Sequence, residues 1–134
     1  MKKGYQFSFE KLEVWQLAKE LVLQIYGISK KFPDNEKYGL VSQMNRAAVS
    51  VASNIAEGSS RMSKKDQAHF SQLAYSSLME LVCQLDICKD LDFIVKEEHA
   101  KIREKILVLS NKINALYHSQ KYRSEKFKKG VVLK

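Results

Sequence analysis

The amino-acid sequence predicts an all-α fold, an up-down antiparallel four-helix bundle with a basic C-terminal tail. Four long segments repeat apolar residues at helical spacing. The 134 residues include one proline and five glycines, which are too few breaks for a many-stranded sheet. The joins between the segments are short, and short joins place consecutive helices antiparallel. We therefore expect residues 1–122 to form the bundle domain and residues 123–134 to form a basic flexible tail.

The first and second helices are expected on either side of Pro33, which cannot continue a helix and disfavours helix in the residue before it. We expect the first helix over about residues 10–31 and the second over about residues 35–57. Gly58 is expected just beyond the second helix, in the left-handed conformation. The apolar faces of these helices are Val14, Ala18, Leu21, Ile25, Ile28 and Phe32, and Leu40, Met44, Ala47, Ala48, Val51 and Ile55.

The third helix is expected to begin after Ser63, a good N-cap residue, with Asp66 at its third position. The fourth helix is expected over about residues 96–122. Ahead of the first helix, residues 5–9 alternate aromatic side chains. We expect these to cover the end of the bundle, and a short strand is the alternative. The apolar seams are Phe70, Ala74, Ser77, Leu81, Gln84, Cys88 and Leu91 on the third helix, and Ile102, Ile106, Leu109, Ile113 and Leu116 on the fourth.

The second helix also carries a line of polar residues at helical spacing. Such a line is either a solvated face or a buried hydrogen-bonded network, and the sequence leaves both open. Glu80 and Gln84 are one turn apart on the third helix, and we hypothesise that they share hydrogen bonds with this line. The polar network predicted in this way comprises Gln43, Ser50, Asn54, Glu57, Glu80 and Gln84.

Catalytic patterns are missing from the sequence. A carboxylate-bridged metal site in a helical bundle needs two Glu-x-x-His motifs, and the chain offers a single near match at residues 66–69. Cys83 and Cys88 are turned about 140° apart on a helix, so they cannot bridge, and we expect both to be buried and reduced. His99 and His118 are expected at the surface or rim. Without a Gly-rich phosphate loop or a nucleophile elbow, we expect no enzyme, no cofactor and no metal site.

The sequence also bears on where the protein works. Residues 1–11 lack the apolar segment of a secretory signal, and no apolar run approaches the ~18 residues of a membrane span. We therefore expect a cytoplasmic protein without a membrane partner. A role for the tail on an acidic membrane surface is the weakest alternative, because a clear amphipathic anchor is missing.

The net charge of +8 is distributed unevenly along the chain. Residues 121–134 hold six cations against one acid, interleaved with Tyr122 and Phe127. Cations neutralise phosphates and aromatic rings stack on unpaired bases, so the pattern is typical of nucleic-acid binding. A solvated face with a solubilising tail is the equal alternative. Including a patch near the turn between the second and third helices, the nucleic-acid-binding candidates are Arg46, Arg61, Lys64, Lys65, Lys121, Arg123, Lys126, Lys128 and Lys129.

Several short motifs over roughly residues 7–118 resemble a known family. The matching elements are Leu12–Gln16, Phe32-Pro33 with Glu36 and Tyr38–Leu40, Ser42-Gln43, Arg46–Ala48, Ser53–Gly58, Glu80 and Gln84-Leu85. In these the chain is similar to the bacterial four-helix bundle family of 23S rRNA intervening-sequence proteins. It departs from the family at Asn45, where a second arginine is frequent, and at Ser76-Ser77, where a glycine is common.

The resemblance implies an up-down four-helix bundle and a ring-like homo-oligomer, a pentamer in known relatives. A related group, the accessory variability determinant proteins of diversity-generating retroelements, implies binding to nucleic acid or to a reverse transcriptase. We therefore expect a non-enzymatic, homo-oligomeric bundle that binds RNA or DNA mainly through phosphate contacts. The alternative is a protein-interaction scaffold with no nucleic-acid role.

Overall fold

The computed structural model describes the backbone of residues 4–128 and the side chains of residues 4–123. Four α-helices account for most of this part of the chain: α1 (Glu13–Ser29), α2 (Ser42–Ser59), α3 (Lys64–Asp90) and α4 (Lys96–Lys128). The most extensive packing joins α2 to α3 and α3 to α4, followed by α1 to α2. The all-α bundle expected from the sequence is confirmed. None of the helices described is both long and apolar enough to cross a membrane.

The core lies where the four apolar seams meet. Most of the residues expected on the seams are buried, and their packing excludes water from the centre of the bundle. Leu91 is an exception, because it lies beyond the end of α3 and is 51% exposed. The largest fully buried side chains are Ile25, Met44, Val51, Leu78, Leu81, Leu85, Cys88, Ile102, Leu109 and Ile113.

The start of α2 differs from the continuous helix expected from about residue 35. A 3₁₀ turn covers Asp34–Glu36 and a π-helical turn covers Lys37–Val41, so the regular helix begins at Ser42. Gly39 has non-helical dihedral angles (φ −106°, ψ −110°). The Glu36 carboxylate accepts a hydrogen bond from the backbone N–H of Leu40 at 3.4 Å. The glycine therefore places a kink between two helical turns.

Gly58 does not end α2, so the expectation of a left-handed glycine beyond the helix is wrong. It is buried within the helix, and a Cβ added there would lie 2.8 Å from the Cβ of Phe70 on α3. Glycine is needed because α2 and α3 approach closely at this point. The last carbonyls of α2 are partly satisfied by two side chains, since the Ser59 hydroxyl donates to Ala56 O and that of Ser60 to Glu57 O, each at 2.7 Å.

The cap of α3 is confirmed, because the Asp66 backbone N–H donates to the Ser63 Oγ at 3.1 Å. The helix ends in a reversal where Asp92 adopts a positive φ of 62°, a conformation that aspartate tolerates better than most residues. The α4 helix continues to Lys128, about six residues beyond the expected end. Part of the expected tail is therefore helical, and residues 129–134 lie outside the described residues.

The aromatic lead-in covers the bundle only in part. Tyr5 and Phe7 are 83% and 60% exposed and contact each other edge to face, so the expectation that they cover the bundle is wrong. Phe9 packs edge to face on Trp15, with the ring centroids 4.9 Å apart. Residues 4–7 have no regular structure and Ser8–Lys11 form a 3₁₀ turn, so the alternative of a short strand is also wrong.

The contact at Gly58 gives the first testable prediction. Gly58→Ala is expected to lower the free energy of unfolding by about 1–2 kcal/mol, because the overpacking cost exceeds the gain in helix propensity. Gly27→Ala is the matched control: nothing lies within 4 Å of an added Cβ, so it is expected to raise stability by about 0.5–1 kcal/mol. Urea unfolding measures the change in stability of both variants. Equal changes in the two variants would contradict the close approach of α2 and α3 at Gly58.

Candidate nucleic-acid interface

The antiparallel packing of α3 and α4 brings two basic segments of the sequence to one end of the bundle. The Ser71 hydroxyl on α3 donates a hydrogen bond to the Oε1 of Gln120 on α4, and the oxygens are 2.7 Å apart in a buried position. The start of α3 and the last third of α4 therefore lie together. We define the basic end as the exposed cations Arg61, Lys64, Lys65, Lys121 and Arg123.

The turn before α3 is held by contacts to α3 itself. The guanidinium of Arg61 lies over the Phe70 ring, 4.5 Å from its centroid. The Nε2 of Gln67 donates to the backbone carbonyl of Arg61 at 2.8 Å. Since Phe70 also packs against Gly58, one aromatic ring both joins the helices and positions a cation. A cation–π contact of this kind contributes roughly 0.5–1 kcal/mol at an exposed site.

A cavity of about 270 Å³ opens at the basic end between α2, α3 and α4. Lys64 and Arg123 both line it, although they are far apart in the sequence. Its apolar lining comes from Leu12, Ile55 and Leu116, and all of its described lining residues are neutral or basic. The cavity therefore presents positive charge beside an apolar surface.

The structure does not bring every candidate residue to the basic end. Arg46 is exposed in the first half of α2, about 20 Å along the helix from its C-terminus. Lys126 and Lys128 lie in the last turns of α4, where only the backbone is described. Lys129 lies outside the described residues. The described part of the candidate interface is therefore the group of cations on the α2–α3 turn, the start of α3 and the last third of α4.

The predicted polar network is represented by two sets of hydrogen bonds. Ser50 and Ser77 join α2 to α3 at 2.9 Å, and the Asn54 amide donates to the Ser50 carbonyl and hydroxyl at 2.8 and 3.0 Å. On α3, the Gln84 amide donates to Glu80 at 3.2 Å. The remaining two members, Gln43 and Glu57, are exposed. A single network through all six residues stays a prediction.

At the other end of the bundle, His99 is buried, so its expected position at the surface or rim is wrong. His118 is exposed, as expected. The Nε2 of His99 lies 2.8 Å from the Oδ1 of Asp86 on α3, and the Nη1 of Arg103 lies 3.1 Å from the same oxygen. His99 and Arg103 are one turn apart on α4, a spacing visible in the sequence. Their shared partner Asp86 is not visible there, because helical periodicity does not reveal which helix is opposite.

The same ion cluster changes the pKa of Asp86. Partial desolvation raises the pKa of this carboxyl, but the hydrogen bond from His99 and the charge and hydrogen bonds of Arg103 outweigh it. The net pKa lies below the ordinary value of 3.8. The ionised carboxylate accepts from both partners and ties α3 to α4.

The two cysteines lie in different environments. Cys88 is buried, and its thiol donates to the Sδ of Met44 at 3.3 Å. Burial, with a smaller contribution from the Glu36 charge, raises the pKa of this thiol to about 11. Cys83 is exposed, so the expectation that both are buried is wrong for it. Both are free thiols, and across the described residues no three potential metal ligands come together.

Four antiparallel helices with a basic end define the class of protein: an all-α bundle with a cationic surface at one end. Within this class, the family model of the 23S rRNA-intervening sequence protein matches residues 10–115. The chain belongs to this family, which confirms the resemblance seen in the sequence motifs.

One solved structure extends this comparison to the fold. It is described as a protein of unknown function from the S23 ribosomal protein family of Bacteroides thetaiotaomicron, and it aligns with a TM-score of 0.73. The identity is 18%, and the alignment covers 78% of this chain and 97% of that chain. At this identity the likeness shows the fold alone. No curated protein matches the sequence.

The ion cluster at Asp86 gives the second prediction. Since the folded-state pKa is lowered, the carboxylate stabilises the fold above its ordinary pKa, and this stabilisation is lost as the pH falls through the folded-state value. Asp86→Asn is expected to lower the free energy of unfolding by about 1 kcal/mol at pH 7. The effect is this small because Asp86 is half-exposed and solvent screens its charge. The difference in the free energy of unfolding between this variant and the unmodified chain is expected to shrink towards pH 3.

Urea unfolding at the two pH values measures this effect. The control is Asp90→Asn, which removes an exposed acid at the end of α3 and is expected to be neutral or slightly stabilising. The loss of stability in Asp86→Asn is the same at pH 7 and pH 3 only if the charge of Asp86 does not hold α3 to α4. An equal loss at the two pH values would therefore contradict the prediction.

Proposed function

We propose that this is a non-enzymatic, homo-oligomeric bundle protein that binds nucleic acid, RNA or DNA, through phosphate contacts at the basic end. One observation carries the proposal: Lys64 and Arg123, from distant parts of the sequence, line one cavity whose lining includes no acid among the described residues. Cations on a phosphate backbone release counterions, and this release drives sequence-independent binding.

The charges around the cavity agree with this proposal. Five cations form the basic end, and the acids of the adjoining helix ends are Glu13, Glu57 and Asp66. Glu125 lies in the last turns of α4, together with Lys126 and Lys128. The N-terminus of α3 adds partial positive charge close to Lys64. Because phosphate contacts position a protein without reading bases, we expect weak sequence preference. The family description names a 23S rRNA intervening sequence, which makes structured RNA the first probe.

Self-association is proposed on a separate surface. A shallow apolar groove of about 320 Å³ runs between the lead-in, α1 and α2. It is lined by Phe9, Trp15, Val22, Val49, Ala52 and Ala56, together with Lys19 and Ser53. Small residues such as Ala52 and Ala56 allow another helix to approach closely, and a second copy of this chain is the occupant that the family resemblance favours. Several basic ends in one assembly would multiply weak phosphate contacts.

The same groove supports the second candidate function, a scaffold that docks another protein and has no nucleic-acid role. The two functions differ in their response to salt. Phosphate binding weakens steeply as salt is added, whereas docking on an apolar groove changes little.

The charge arrangement gives the third prediction. Lys64→Ala and Arg123→Ala are each expected to weaken binding to structured RNA and duplex DNA, and to lower the slope of affinity against salt by about one. Arg46→Ala is the matched control, because it removes an exposed cation far from the basic end and is expected to have a smaller effect. A chain ending at residue 128 measures the contribution of Lys129 and Lys134.

Fluorescence anisotropy at two salt concentrations distinguishes the possibilities. No binding by the full chain at low salt would overturn the nucleic-acid proposal and favour the scaffold. An equal loss from Arg46→Ala and from Lys64→Ala would overturn the placement of the interface at the basic end.

The apolar groove gives the fourth prediction. Val49→Asp places a charge in the groove, and we expect it to reduce the molar mass measured by light scattering to that of one chain. Leu107→Asp, at an exposed apolar position on α4, is the control and is expected to leave the mass unchanged. Circular dichroism checks that both variants fold. A single-chain mass for the unmodified protein would contradict self-association.

A further inference from the structure

The cavity at the basic end has features that a phosphate contact does not require. A phosphate group needs cations and N–H donors, which a flat basic surface supplies as well. Here Lys64 and Arg123 instead border a recess with an apolar wall formed by Leu12, Ile55 and Leu116. A ligand that fits this surface carries negative charge on one side and an apolar, flat or rounded body on the other.

The size of the cavity limits what can enter it. Its volume of about 270 Å³ lies just below the roughly 300–1,000 Å³ of drug-sized ligand sites. A helix, a strand or a base pair is too large for such a space. A single nucleobase attached to its sugar and phosphate is a ligand of suitable scale.

Two amide side chains in the lining provide hydrogen-bonding groups. The Oε1 of Gln120 accepts from the Ser71 hydroxyl, which fixes the buried side chain and turns its NH₂ donors away from that bond. The Nε2 of Gln67 donates to the Arg61 carbonyl, which leaves its Oε1 as an acceptor. The edge of an unpaired base carries donors and acceptors that amides can match.

We infer that this cavity holds one unpaired nucleotide of the bound nucleic acid. The base lies against Leu12 and Leu116, its edge meets the amides of Gln67 and Gln120, and its flanking phosphates meet Lys64 and Arg123. A base inside a duplex is stacked and paired, so it reaches such a pocket only when it is unpaired or flipped out. The inference rests on the proposed function and adds the class of nucleic acid: strands with unpaired nucleotides.

The test compares nucleic acids of nearly equal charge. The probes are duplex RNA and duplex DNA, each with and without one unpaired adenosine in the middle of a strand. We expect the full chain to bind the bulged duplexes about tenfold more tightly, because capture of one base adds to the phosphate contacts. Equal affinity for bulged and perfect duplexes overturns the inference and leaves the proposed function standing. No binding to any of these probes overturns both.

Two substitutions at adjacent positions test whether the preference for bulged duplexes arises in this cavity. Ser119 is exposed and lines the cavity, so Ser119→Trp is expected to fill the recess and abolish the roughly tenfold difference in affinity between bulged and perfect duplexes. His118→Trp is the control, because His118 is exposed and does not line the cavity. Thermal unfolding checks that both variants fold. A preference retained by Ser119→Trp, or lost in His118→Trp, overturns the placement of the nucleotide in this cavity.

Discussion

The close approach of α2 and α3 at Gly58 is the contact on which the basic end depends. Phe70 occupies the space that a side chain at position 58 would need, and the same ring supports the guanidinium of Arg61. The cavity between α2, α3 and α4 opens beside this contact. A wider separation of the two helices would therefore change the packing, the turn and the cavity together, since closely packed interiors transmit such shifts.

Hydrogen bonds between α3 and α4 hold this arrangement along the length of the bundle. Ser71 bonds to Gln120 at the basic end, and Asp86 bonds to His99 and Arg103 near the other end. Because these contacts are polar and directional, they define the axial register of two helices whose apolar seams alone would tolerate some sliding. The fixed register is what places Lys64 beside Arg123.

Much of the fold could be predicted from the sequence, because four apolar seams and the Ser63 cap are local patterns. Two wrong expectations share a physical reason, because the positions of Gly58 and His99 each depend on a neighbour in space. The sequence predicts Gly58 just beyond the end of α2, since local sequence does not reveal Phe70 opposite it. It predicts His99 at the surface or rim for the same reason, because Asp86 opposite it is not visible in the sequence. The site was partly predictable, because the cations are visible in the sequence but their grouping depends on how α3 and α4 align. Arg46 lies apart from the others because it is about 20 Å along α2 from the end of that helix.

The contrast between the two thiols has a practical consequence for spectroscopy. A thiolate is the species that attacks alkylating reagents, and a buried thiol whose pKa is about 11 is almost wholly protonated at neutral pH. Cys83 is exposed on α3, and the chain contains no third cysteine. The unaltered protein therefore accepts a maleimide dye at a single defined position. Conjugation at that position reports rotational motion of the bundle without any engineered residue.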